Sequence, residues 1–308
     1  MVKVHLDTDL GGDIDDLCAL AMLLKWPKVR ITGITTVADD KGIRAGFVKY
    51  ALKLAGKSDI PVKAGADISL GRYRVRRGYQ DERYWPKEAI KRAKNPIGEA
   101  LALLKKSIAE GAIIIGIGPL TNLYLLGKKY PGILRQAKLF LMGGYIYPPR
   151  DGYPRWGQNY DFNIQVDVKA AKEVLENSCP TLVPLTVTIE TFLRQAYLGK
   201  LRQSDDLNRL LAKQAEVFAD DEKIAEKYGR VCPKLPDDII NFQHDPLTTA
   251  IALGWHDGVE FKGLPLRFSI QNGWLKEMVD KSSQKFYRVV TKIDGEKFSR
   301  FWLERVIA

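Results

Sequence analysis

Cysteine is scarce: Cys18, Cys179 and Cys232 are the only three in 308 residues. Their wide spacing and odd number exclude a disulfide framework and a paired-thiolate metal site, and they suit a cytoplasmic setting. No run of about 18 apolar residues occurs, so no membrane-spanning helix is expected. The opening Met-Val-Lys-Val-His-Leu-Asp reads as a strand and not as a signal peptide. Basic tails and nucleic-acid motifs are missing too, although the net charge is +11. The densest basic cluster, Arg72-Tyr73-Arg74-Val75-Arg76-Arg77, therefore reads as a solvated face, and nucleic acid is disfavoured as a partner. Low-complexity linkers are absent, which favours a single domain over residues 1–308.

What the chain does have is a regular alternation of strand-like and helix-like segments. Val2 to Leu6, Val29 to Thr36, Pro61 to Gly65, Ala112 to Gly116, Gln136 to Met142 and Thr181 to Val187 read as strands. Asp16 to Lys25, Ile43 to Ala55, Ile97 to Glu110, Leu120 to Lys129 and Val168 to Asn177 read as helices between them. The alternation predicts an α/β fold: an open, mainly parallel, Rossmann-like sheet with helices on both faces. Leu264 to Ile270 and Phe286 to Ile293 predict a small C-terminal antiparallel strand pair, and Gly295 to Val306 a closing helix. Ser69 to Asn95 breaks the rhythm, as an active-site lid would.

The chemistry concentrates in Asp7-Thr8-Asp9-Leu10-Gly11-Gly12-Asp13-Ile14-Asp15-Asp16, where a strand ends, glycines turn the chain and a helix begins. Five carboxylates in ten residues repel one another unless a cation or protons compensate them. An oxygen-only ligand set suits Ca²⁺ or Mg²⁺ better than zinc. One or two of these aspartates could be plain helix caps; five exceed that need.

Three later segments are candidates to join this one. Gly116-Ile117-Gly118-Pro119-Leu120-Thr121-Asn122 bends sharply after a hydrophobic strand and could offer backbone carbonyls as ligands, or be an ordinary capped turn. After Met142-Gly143-Gly144 comes Asp161-Phe162-Asn163. In an extended segment Asp161 and Asn163 share one side, which suits a sugar hydroxyl, and an Asx turn equally. His244-Asp245-Pro246 precedes an apolar helix. Asp245 could cap that helix while aiming its carboxylate into a site, and His244 is either an acid of suitable pKa or a structural loop residue.

Taken together and in this order, these motifs resemble the inosine-uridine-preferring nucleoside hydrolases, which cleave the N-glycosidic bond of ribonucleosides with water and bound Ca²⁺. The resemblance implies calcium held by Asp9, Asp16 and Asp245 and by the Thr121 carbonyl. It implies Asp9 as general base, Asp15, Asp161 and Asn163 on the ribose, and Asp7 as support behind Asp9. Met142 and Asp40 are carried to the substrate site with them, and Asp13 is an alternative ligand. It also implies a role in purine and pyrimidine salvage and assembly as a homodimer or homotetramer. The chain departs from the family pattern by two extra residues between Asp9 and Asp15, by Asp39-Asp40 in place of Gly-Asn, by Asp161 in place of Glu, and by lacking a His-Gly segment. In the region of that segment stand Tyr84 and Trp85. Two mechanisms compete for the leaving base: His244 protonates it as a general acid, or Tyr84 and Trp85 fold over the site and stack on it; Trp85 reads equally as a plain hydrophobic anchor for the loop. The competing functions are an aspartyl-nucleophile phosphatase using Asp7-Thr8-Asp9 and a non-catalytic protein that binds nucleosides or nucleic acid.

Overall fold

The computed structural model describes residues 1–67 and 82–308. The basic cluster at Arg72–Arg77 and much of the irregular segment 69–95 lie outside the described residues. The strands are β1 (Val2–Thr8), β2 (Val29–Thr36), β3 (Val62–Ala64), β4 (Ile113–Gly116), β5 (Lys138–Met142), β6 (Thr181–Val183), β7 (Phe192–Arg194), β8 (Ile239–Phe242), β9 (Glu260–Gln271), β10 (Trp274–Val279) and β11 (Phe286–Lys292). Nine of them form one sheet in the order β10-β9-β11-β6-β5-β4-β1-β2-β3, and β7 pairs with β8 in a separate two-stranded sheet. Every neighbouring pair from β3 across to β11 is parallel.

Burial on both faces explains the long apolar runs. Ile114 and Ile115 are adjacent on β4, and each is fully buried, but in different hydrophobic clusters on opposite faces of the sheet. One cluster gathers the helices Asp15–Leu24, Ile43–Leu54, Asp206–Glu222, His244–Ala252 and Gly295–Ile307. The other gathers Ile97–Ala109, Thr121–Lys129 and Val168–Asn177.

The chain order fixes where a ligand can bind. From β1 the chain steps outward to β2 and β3, then returns to β4 on the other side of β1. The helices after β1 and β4 therefore diverge and leave a crevice at the carboxyl ends of these two strands. The acidic turn stands at that crevice.

Sequence boundaries and structure agree within one or two residues for the parallel strands, with one exception. The stretch expected to be a strand to Val187 stops at Val183, because Pro184 opens a helical turn, Leu185–Thr188. The expected C-terminal antiparallel pairing is β9 with β11. The Asn272-Gly273 turn adds a third strand, β10, and all three extend the main sheet. Among the described residues no helix is long and apolar enough to cross a membrane.

Candidate active site

β1 delivers Asp7, Thr8 and Asp9 to the crevice, and the chain turns through Gly11 with a φ of +105°. A Cβ on Gly11 would lie only 2.4 Å from the Phe47 ring, so glycine is needed for both backbone and space. The helix Asp15–Leu24 starts immediately after this turn. A second helix, His244–Ala252, brings its own N-terminus to the same place, and the Asp245 amide donates to Asp15 Oδ2 at 3.3 Å. Two helix N-termini thus face the acidic groups, which favours negative charge there.

Asp15, Asp16 and Asp245 are buried, and one carboxylate oxygen from each lies within 4.8 Å of those of the other two. Burial and mutual repulsion push all three well above the usual carboxylate range. Asp9 is buried beside them and raised by burial, while the charge of Arg44 pulls it back. Thr8 Oγ1 donates to Asp16. Such a set requires protons or a cation. Its donors are all carboxylate oxygens, so a hard divalent cation fits it chemically. Asp13 lies at the exposed rim, where its carboxylate accepts from Asn241 Nδ2 and from the Asp15 amide.

Asp7 points away into a buried relay. Its Oδ1 accepts from Thr35 Oγ1 at 2.5 Å and from Asn122 Nδ2 at 2.8 Å, and burial lifts it to about 7. Thr35 in turn contacts His5 Nε2 at 3.0 Å. Asn122 ties this relay to the Thr36 carbonyl at 2.8 Å and to the Ala66 amide at 2.9 Å. Asp7 is therefore a scaffold for the ends of β1, β2 and β4. A phosphatase nucleophile there would be closed off, with burial working against its ionised form.

The turn after β4 lies directly against Asp9: a Cβ on Gly118 would be 2.8 Å from Asp9 Oδ1. Gly118 makes this contact, and the Ile117 amide beside it donates to the Asp7 carbonyl at 2.8 Å. Thr121 sits in the first turn of the next helix, with its hydroxyl donating to Asp167 at 2.7 Å. Asn163 Nδ2 donates to the carbonyls of Ile117 (3.0 Å) and Met142 (3.3 Å), joining the turns after β4 and β5. Only its Oδ1 remains for a ligand.

Three expectations are corrected here. Asp161 and Asn163 do not share an extended side. Asp161 caps the short helix Phe162–Gln165 and accepts from the Gly144 amide at 2.6 Å. It is fully buried near Glu277, which accepts from the Tyr145 amide; burial raises Asp161 to about 7 and Glu277, with help from Asp161, to about 8. Asp40 is exposed and paired with Arg92, whereas Asp39 is buried and accepts from the amides of Arg44 and Ala45. Trp85 is 2% exposed and stacks on Phe47 with ring centroids 4.5 Å apart. It anchors the segment against the helix Ile43–Leu54, behind the acidic turn, and offers no face to a ligand. Neighbouring Tyr84 donates to Asp221 at 2.9 Å.

The aromatic wall next to the carboxylates comes from elsewhere. Trp156 contacts Phe242 edge-on at 5.0 Å, Tyr228 at 5.3 Å and His244 at 6.2 Å, and stacks on exposed Tyr160 at 4.9 Å. Apart from His244, the members of this wall (Trp156, Tyr160, Tyr228 and Phe242) do not stand out in sequence, because each is a single ring in an irregular or short element. His244 Nδ1 is 2.7 Å from Thr188 Oγ1, which itself donates to the Leu185 carbonyl. That assignment leaves Nδ1 as the protonated nitrogen and Nε2 with its lone pair. Burial lowers the imidazole to about 3, so the ring is neutral near neutral pH and not the ready proton reservoir suggested by its ordinary pKa.

Comparison with known proteins follows the same lines. Residues 4–300 match the family model described as inosine-uridine preferring nucleoside hydrolase. A non-specific ribonucleoside hydrolase from Klebsiella pneumoniae is 30% identical over 224 residues, covering 68% of this chain and 70% of the relative. A pyrimidine-specific ribonucleoside hydrolase from Salmonella schwarzengrund is 28% identical over 262 residues, covering 81% and 78%. Among solved structures, a plant nucleoside hydrolase superposes with a TM-score of 0.79 at 22% identity, covering 100% of this chain and 99% of the other. A purine-preferring ribonucleoside hydrolase from Gardnerella vaginalis gives 0.77 at 19% identity, covering 99% and 98%.

Proposed function

As the chain belongs to the inosine-uridine preferring nucleoside hydrolase family and is a hydrolase acting on nucleosides, we propose that it cleaves the N-glycosidic bond of ribonucleosides to ribose and free base with the aid of Ca²⁺. The observation that supports the cation most directly is the convergence of Asp15, Asp16 and Asp245, buried and built of oxygen donors alone. These three with Asp9 would hold the ion, and a carbonyl of the Ile117–Gly118 turn, which abuts Asp9, would complete the set in place of Thr121. When bound, Ca²⁺ lowers the pKa of water and orients it with the sugar diol.

Asp9 acts as the general base that takes a proton from the attacking water. It stands where β1 ends, and the charge of Arg44 opposes the upward push of burial on it. Asp15 and the free Oδ1 of Asn163 accept from ribose hydroxyls. The buried carboxylates also stabilise the positive charge that develops on the sugar ring as the bond to the base breaks. Asp161 supports the Gly143-Gly144 turn from behind and does not touch the sugar. The base lies along Trp156, Phe242 and His244. Stacking there spreads the charge of the departing ring, and neutral His244 contributes a face and an Nε2 acceptor. The relatives carry pyrimidine-specific, purine-preferring and non-specific descriptions. In this reading the aromatic wall sets the base preference of this chain.

The test is release of free ribose from the common ribonucleosides. Turnover of at least one of them is expected. Binding without turnover on all of them would leave a nucleoside-binding protein.

A further inference from the structure

Arg44 is the second residue of the helix Ile43–Leu54, is 4% exposed, and points beneath the acidic turn. Its Nε donates to the Ala38 carbonyl at 2.9 Å, and Ala38 itself holds a left-handed φ of 49°. A Cβ on Gly12 would meet Arg44 Nη1 at 3.4 Å, Nη2 at 3.7 Å and the Asp9 carbonyl oxygen at 3.9 Å. The guanidinium therefore lies one glycine away from the Asp9 backbone. Its Nη1 is buried and has no hydrogen-bond partner. A buried open donor is costly, so packing alone does not account for an arginine at this position. Its positive charge bears on both Asp9 and Asp16 without being consumed in a direct ion pair with either.

We propose that Arg44 is a resident counter-cation of the carboxylate cluster. It holds the acidic turn together when no metal is bound, and it weakens the cluster's hold on a divalent cation. Two glycines make this possible. Gly12 lets the guanidinium approach the turn, and Gly11 lets the turn close over Phe47, one helical turn along from Arg44. A side chain at either glycine would lift the acidic loop off its cation. The inference rests on the cation reading above only for its second half.

The experiment uses the full chain stripped with a chelator, with two readouts: Ca²⁺ affinity by calorimetric titration and melting temperature without metal. Arg44→Met is expected to bind Ca²⁺ about tenfold more tightly, because one repelling charge beside the acidic turn is gone. Its metal-free form is expected to melt several degrees lower. Adding Asp16→Asn should recover part of that loss, since the two sites are coupled through charge. Arg44→Lys keeps the charge and should hold Ca²⁺ within about threefold of the parent chain. Unchanged or weaker Ca²⁺ binding in Arg44→Met, together with strictly additive melting losses, would overturn the proposal. If the parent chain binds no Ca²⁺, the cation reading fails by itself, and the melting cycle still decides on Arg44: coupling supports it and additivity overturns it. If Arg44→Met does not fold alone, rescue by Asp16→Asn supports the proposal and failure of that rescue contradicts it.

Discussion

The carboxylate wall of the site draws Asp9, Asp15 and Asp16 from a single turn and adds Asp245 from one distant helix. The aromatic wall draws Trp156, Tyr228, Phe242 and His244 from an irregular loop, a helical turn, β8 and a helix N-terminus. The first is local and charged, so its members repel and must be held by two helix N-termini and by Arg44. The second is long-range and apolar, and its rings cohere by packing on one another. Under the proposed function, chemistry on the sugar falls to the first wall and discrimination among bases to the second. The two should therefore respond to mutation differently.

The largest effect is expected at the first wall. Asp16→Ala removes a central cluster oxygen donor and should abolish both Ca²⁺ binding and turnover. Residual activity with stoichiometric metal would show that the local turn is not the ion's site. Asp9→Asn keeps shape and loses basicity, so kcat should drop by roughly 10²–10⁴ with a smaller change in KM. A near-normal kcat would move the base elsewhere, with Asp13 the next residue to test.

Smaller and more selective effects are expected at the second wall. Trp156→Ala should raise KM by about tenfold and change the inosine-to-uridine ratio, since one stacking face is worth about 1–3 kcal/mol. An identical loss for both bases would remove the division of labour between the walls. Trp85→Ala should lower stability by about 3–5 kcal/mol through the cavity left beside Phe47, and the folded fraction should keep its base ratio. A changed ratio would return Trp85 to the site.

This difference also governs what the sequence discloses. The acidic turn is legible because five carboxylates near one strand end are chemically conspicuous. The parallel sheet is legible because its strands are buried on both faces and read as apolar runs. Asp161 and Asn163 looked alike at a spacing of two, but the helix that Asp161 caps turns them apart. Trp85 looked available because it lies in an irregular stretch, yet Phe47 covers it. Arg44 and Trp156 carry no local signal, since their meaning comes from Gly12 and Phe242, residues brought to them only by the fold. The antiparallel β7–β8 pair is equally silent, being two short strands far apart in the chain.

A separate expected effect concerns pH. Burial raises Asp161 from 3.8 to about 7 and Glu277 from 4.5 to about 8. Between these limits the unfolded chain ionises while the folded one retains its protons. Stability from this pair is thus full below about pH 4 and declines as pH rises to about 8. Asp161→Asn with Glu277→Gln should flatten that slope when melting is followed in saturating Ca²⁺. An unchanged slope would assign it to other groups.

The most direct measurement of the central claim is ribose release by the chelator-stripped chain, before and after Ca²⁺ is restored, with metal content determined on the same sample. No turnover is expected from the stripped chain, and full turnover on return of one Ca²⁺ per chain. Full turnover by metal-free protein would contradict it.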